Sequence, residues 1–166
     1  MSTDDLPRDT APDGALLAAT LERLGAQDED VAPEVFVRFI ERRPDLASLF
    51  RMIMPGHPPL GCGNMVFEIL CVLKDNADGQ PYVGGYLDDL VVGHRQFAVG
   101  RAHDYAELLD TVQDVIAMRL GAGWPETERA AWSRQTRALQ QRIAGLVPAA
   151  PDRPPTGSCP AGTSES

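Results

Sequence analysis

Apolar residues recur along most of this chain at intervals of three and four, the period of helices that pack along one side. Leu16, Leu17, Leu21 and Leu24 make a first stripe that stops at Gly25. Pro33 suits a helix first turn, and Val35, Phe36, Phe39 and Ile40 carry a second stripe up to about Arg42. A brief helical turn is expected from Pro44 to Phe50, whereas the prolines and glycine of Met54 to Pro59 exclude regular helix. Helical period resumes at about Leu60 and runs through Met65, Val66, Ile69, Leu70 and Leu73, until Asn76 to Pro81 breaks it. The next stripe holds Leu87, Leu90, Val91, His94 and Phe97.

A longer helix is predicted from near Asp104, where Asp104 and Glu107 have the spacing of a capping box, to Leu120, with Gly121 and Gly123 as its stop. Trp124-Pro125-Glu126 opens a last helix with the stripe Trp132, Thr136, Leu139 and Ile143. No run alternates with period two for long enough to require a strand, although Phe67 to Leu73 is apolar enough to be ambiguous. The pattern predicts an all-α architecture of six or seven helices without internal repeats.

Composition refines this picture at both ends. Residues 1–13 are polar and hold prolines and aspartates, so a flexible lead is expected there. Residues 148–166 are rich in Pro, Gly, Ser and Ala, which predicts a disordered tail that includes Cys159. Residues 14–147 remain as one helical domain, long enough to bury a core and a cofactor. Fifteen basic and twenty-four acidic residues give a net charge of -9, and no basic stripe is present. That balance argues against a nucleic-acid backbone or an anionic membrane surface as partner. No apolar run approaches membrane-spanning length, and the acidic start has no secretory character, so a cytoplasmic protein is expected. Three widely spaced cysteines, Cys62, Cys71 and Cys159, fit neither a disulfide framework nor a closed zinc site. Cys71, among Leu70, Val72 and Leu73, reads as a core filler.

The candidate chemistry centres on His94. Its spacing to Leu87, Leu90, Val91 and Phe97 puts the imidazole on an apolar face, where it is either a satisfied structural group or a ligand for something held in the core. His57, in the Pro/Gly loop, and His103 read as solvated histidines.

The order of these features resembles the globin family, most closely single-domain bacterial haemoglobins and the globin domain of flavohaemoglobins. The likeness covers roughly Leu16 to Leu146. It rests on Phe36 followed by Phe39, Ile40 and the corner Arg43-Pro44-Asp45-Leu46-Ala47-Ser48-Leu49-Phe50; on Met65-Val66-Phe67-Glu68-Ile69-Leu70; on His94 with Phe97 and Val99; on Tyr105; and on Ala131-Trp132. The resemblance implies a globin fold around a pocket for haem b, with His94 as the ligand of the iron. A neutral imidazole is a good iron ligand, and one axial nitrogen leaves the other face open to a gas. Phe50 would stack on the porphyrin edge, and Val99, Leu90 and Ile69 would line the pocket. The bland alternative is that Phe50, Ile69 and Leu90 are core residues of a helical bundle.

On the distal side the chain departs from these relatives. Cys62, counted back from Val66, takes the place where the family commonly has histidine or glutamine, with Gly61 and Gly63 as alternatives. Phe36 takes that of a distal tyrosine. A thiol and a phenyl ring supply little of the hydrogen bonding, worth on the order of 1 kcal/mol per neutral donor, that holds dioxygen. An apolar distal pocket shaped by Phe36, Phe50, Cys62 and Val66 is expected, with fast oxygen loss and a relative preference for CO or NO. Cys62 is otherwise a small filler or a sixth-ligand thiolate, and His57 a loop residue or a sixth ligand. On the proximal side Tyr105 matches the family's tyrosine, but its partner glutamate would fall near Ala149 and is missing.

The implied function is a haem-binding globin that takes a diatomic gas (O2, NO or CO) for binding, sensing or scavenging. The rivals are an NO dioxygenase or other haem redox enzyme served by a separate reductase, and a haem-free interaction module. A homodimer is an open assembly state.

Overall fold

The computed structural model describes residues 11–27, 30–53, 61–97 and 99–148. The expected lead over residues 1–10, the Pro/Gly loop with His57, and the tail with Cys159 lie outside the described residues. Among those described, the chain is all-helical: α1 (Asp13–Gly25), α2 (Ala32–Arg42), a 3-10 turn (Pro44–Leu46) leading into α3 (Ala47–Ile53), α4 (Cys62–Ala77), α5 (Val83–Arg95), α6 (Ala102–Leu120), a 3-10 turn (Gly121–Gly123) and α7 (Glu126–Leu146). No strand forms among the described residues, so the ambiguous run Phe67 to Leu73 is helical. No helix among them is long and apolar enough to cross a membrane.

The helix boundaries have local causes. Asp30 accepts the Ala32 amide at 2.9 Å, and Pro33 sits in the first turn of α2, where its missing N–H costs nothing. Arg43, at φ -127 and ψ 64, steps out of helix just before Pro44, as a residue preceding proline tends to. Gly61 precedes α4 at φ +89, a backbone state that an L side chain would strain.

Three helix ends differ from the sequence expectation. α4 runs on through Asn76 and Ala77, because the Asn76 side chain donates to Gln135 at 2.9 Å and accepts from Arg142 at 2.7 Å. Tertiary bonds to α7 thus hold a last turn that composition alone would end. α6 starts at Ala102, which makes Asp104 the third helical residue; its carboxylate reaches back to the Arg101 amide at 3.2 Å. The expected box with Asp104 as cap and Glu107 as its partner is therefore replaced by one a turn earlier. At the other end of the chain Asp13 already belongs to α1, held by Arg134 at 2.5 Å and Gln135 at 2.8 Å.

α7 packs against α1 and α6, α2 against α6 and α4, and α5 against α7 and α4. Trp132 and Trp124, with Leu17, Leu73, Leu87, Ile116 and Val112, are fully or almost fully buried at the centre. Burial of each such side chain contributes roughly 1.5–3 kcal/mol. Gly14 lets α1 approach the end of α4, where a Cβ would collide with the Asp78 carboxylate. One polar cluster is built into the core. The buried Glu128 accepts from Thr20 at 2.8 Å and from Arg23 at 3.2 Å, and the Trp124 indole N–H reaches the same Thr20 hydroxyl at 3.1 Å. This ties α7 and the turn before it to α1.

Candidate functional site

His94 stands in the last turn of α5 and is half-buried. Its Nδ1 lies 2.8 Å from the carbonyl oxygen of Leu90, one turn earlier. A carbonyl can only accept, so Nδ1 carries a proton, and in the neutral form of the ring the lone pair lies on Nε2. The ring meets that of Tyr105 edge-on, with centroids 5.7 Å apart and an interplanar angle of 67°.

Two cavities adjoin at this pair. The larger, about 330 Å³, lies between α4 (Met65, Ile69, Val72) and α5 (Leu87, Leu90, His94), with α6 and α7 behind it through Leu109, Leu139 and Ile143. Its rim carries Asn64, Glu68 and Tyr86. The Tyr86 hydroxyl donates to Glu68 at 3.1 Å, and burial together with that carboxylate pushes the phenol pKa up to about 12. The smaller, about 140 Å³, reaches from His94 and Tyr105 to Phe39, Leu46, Leu49 and Phe50, with Phe97, Val99 and Asp104 along its side. Their combined extent falls in the size range of small-molecule sites, roughly 300–1,000 Å³, and the walls are predominantly apolar.

Phe50 is fixed edge-on by two other rings, Phe36 at 5.1 Å and Phe39 at 6.0 Å. Behind them the corner after α2 is locked by charge. The buried Arg43 meets the buried Asp104 at 2.6 Å and grips Asp45 with two bonds of 2.9 and 2.7 Å. The guanidinium holds the Asp45 carboxyl down at about 2.

The named site residues divide as follows. Ile69 and Leu90 line the larger cavity, Phe50 and Val99 the smaller, and His94 and Tyr105 both. Phe36, Cys62 and Val66 are buried but stand off both walls. Ile69 marks a seam on α4: Met65, Glu68 and Val72 line the larger cavity beside it, while Val66 and Leu73 pack into the core. The sequence reading placed Val66 at the pocket and passed over Met65, its neighbour on that helix. The signal was the four-residue step from Met65 to Ile69. Cys71 is half-buried rather than in the core, and burial beside Asp75 and Glu68 raises its thiol pKa.

Tyr105 brings to the site a buried polar group left short. It is 8% exposed, and its hydroxyl has no hydrogen-bond partner. Burial, reinforced by Asp104, raises its pKa, so the phenol stays protonated. The site thus offers one imidazole oriented through Nδ1, one unsatisfied phenol and an apolar slot between two helices. That donor set fits a flat, largely apolar, metal-centred group such as haem, which needs a single axial nitrogen and exclusion of water. Compared with known proteins, the chain matches no family model and no curated sequence.

Proposed function

We propose that the chain is a haem-binding globin that takes a diatomic gas (O2, NO or CO) for binding, sensing or scavenging. The observation that carries this reading is the Leu90 carbonyl at Nδ1 of His94, which fixes the tautomer and leaves Nε2 free at the junction of two apolar cavities. An outer hydrogen bond of this kind orients a metal-bound histidine and raises its basicity. The arrangement of α4 and α5 on either side of the larger cavity is the second support. When bound, haem supplies an iron centre with affinity for small diatomic ligands. The chain's own contribution is to hold the imidazole, to exclude water with Phe50, Leu90, Ile69 and Val99, and to keep polar donors at the rim.

That last feature favours gas binding with weak retention of O2 relative to CO and NO, since Asn64 and Glu68 are exposed and the Tyr86 hydroxyl is engaged with Glu68. A haem redox enzyme fed by a separate reductase draws less support. The Tyr105 hydroxyl has no acidic partner to increase electron push through the imidazole. A cytoplasmic setting and a homodimer are compatible with this reading and carry no part of it.

Titration of the purified chain with hemin tests the proposal. The expected result is a sharp Soret band at one equivalent that His94→Ala abolishes or displaces. A chain that takes up no hemin under reducing conditions overturns it and leaves a haem-free interaction module as the reading in front.

A further inference from the structure

Four residues line both cavities: Met65 from α4, His94 from α5, and Tyr105 and Leu108 from α6. They mark the place where the two voids adjoin, and a flat group that fills both has its middle there. Leu108 has no donor atom. Tyr105 offers only a hard phenol oxygen, and its ring packs edge-on against the imidazole of His94. Two atoms at the junction remain with a lone pair free for a soft or borderline metal: Nε2 of His94 and the thioether sulfur of Met65. They come from different walls of the slot, since α4 and α5 flank the larger cavity. The thiol of Cys62, also on α4, is buried and lines neither cavity.

We infer that Met65 is the sixth ligand of the cofactor, paired with His94. The inference rests on the haem reading above and adds a specific consequence to it. A histidine–methionine axial pair raises the reduction potential, because the soft thioether favours the reduced metal over the oxidised one. No covalent bond of the protein is made or broken. An incoming gas takes the position of the sulfur, which swings aside on a flexible unbranched side chain and returns when the gas leaves. Met65 therefore competes with the gas. If the sulfur occupies its position about nine-tenths of the time, ligands reach only the remaining tenth of the molecules, and removing it accelerates association about tenfold.

The test compares the hemin-loaded full chain with its Met65→Leu, Cys62→Ser and His57→Ala variants. Optical and magnetic circular dichroism spectra are recorded after reduction with dithionite, together with the midpoint potential and the CO association rate. Leucine nearly conserves the volume of methionine, so Met65→Leu is expected to fold, which far-UV circular dichroism checks. The unaltered chain is expected to be low-spin and six-coordinate when reduced. Met65→Leu should turn it five-coordinate and high-spin, lower the midpoint potential and speed CO association about tenfold. A five-coordinate reduced form of the unaltered chain overturns the inference. So does a low-spin spectrum that Met65→Leu leaves unchanged, or one that Cys62→Ser or His57→Ala abolishes instead. In these outcomes the Soret band persists and only the axial assignment falls. A chain without any Soret band overturns this inference and the haem reading together.

Discussion

Arg43 and Asp104 meet at 2.6 Å with 5% and 2% of their surfaces exposed, an ion pair inside a chain that carries most of its charge on the outside. Arg43 follows α2 and Asp104 lies in the first turn of α6, so the pair joins two helices that pack together. The same Asp104 caps α6 through the Arg101 amide, and the same Arg43 holds Asp45 at the corner. Three roles thus depend on two side chains.

Asp104→Asn is expected to destabilise the protein by about 3 kcal/mol or more, because it strands the Arg43 charge in a buried site. Urea unfolding monitored by tryptophan fluorescence measures this. A loss below about 0.5 kcal/mol would mean that Asp45 alone satisfies Arg43.

Acid should loosen the same corner in a defined window. Arg43 holds the Asp45 carboxyl at about 2, against an ordinary 3.8, so the folded state keeps the ionised form. The stabilisation is complete above the ordinary value and drains away as pH falls from there toward about 2. Asp13, held down by Arg134 and Gln135, adds a loss in the same direction. Thermal midpoints measured across this range should drop less steeply in Asp45→Asn than in the unaltered chain. Parallel curves would contradict the assignment.

Thr20→Val removes a hydroxyl that both accepts from Trp124 and donates to Glu128. The valine fills the space but leaves an indole N–H and a carboxylate oxygen short of partners in the core. The expected cost is about 1–3 kcal/mol, read from a shift of the urea midpoint at constant slope.

Tyr105→Phe should act in the opposite sense on the empty protein. Its hydroxyl is buried without a partner, so deleting it is expected to stabilise the cofactor-free chain by about 1 kcal/mol. The gain should shrink or reverse once the cavity is filled by a group that the phenol can contact. Equal stability changes with and without hemin would separate Tyr105 from the bound cofactor.

The helical architecture was legible because nearly every stripe is strong and the breaks between stripes hold glycine or proline. Leu17, Leu24, Val35, Phe39, Leu73, Val91, Trp132 and Ile143 were all placed by period alone, and each is buried. Helix ends were less legible. Asn76 is drawn into α4 by partners on α7, and Asp104 moves inside α6 by reaching back to Arg101, so distant residues decide both. At the site, His94 stood out because a histidine on an apolar stripe is rare enough to ask for a reason. What the sequence left hidden was the rotation of α4. Ile69 sits on the seam between cavity and core, and its period fits Met65 and Val66 alike. Only the packing of Val66 into the core decides which side faces the slot.

Asp104 and Tyr105 are consecutive, and both border the smaller cavity, yet one belongs to the charged corner and the other touches the imidazole. The charged corner and the smaller cavity therefore share a wall. A substitution that loosens the Arg43–Asp104 pair disturbs the residue next to Tyr105, so a change made at this corner for stability is at the same time a change in the lining of the slot.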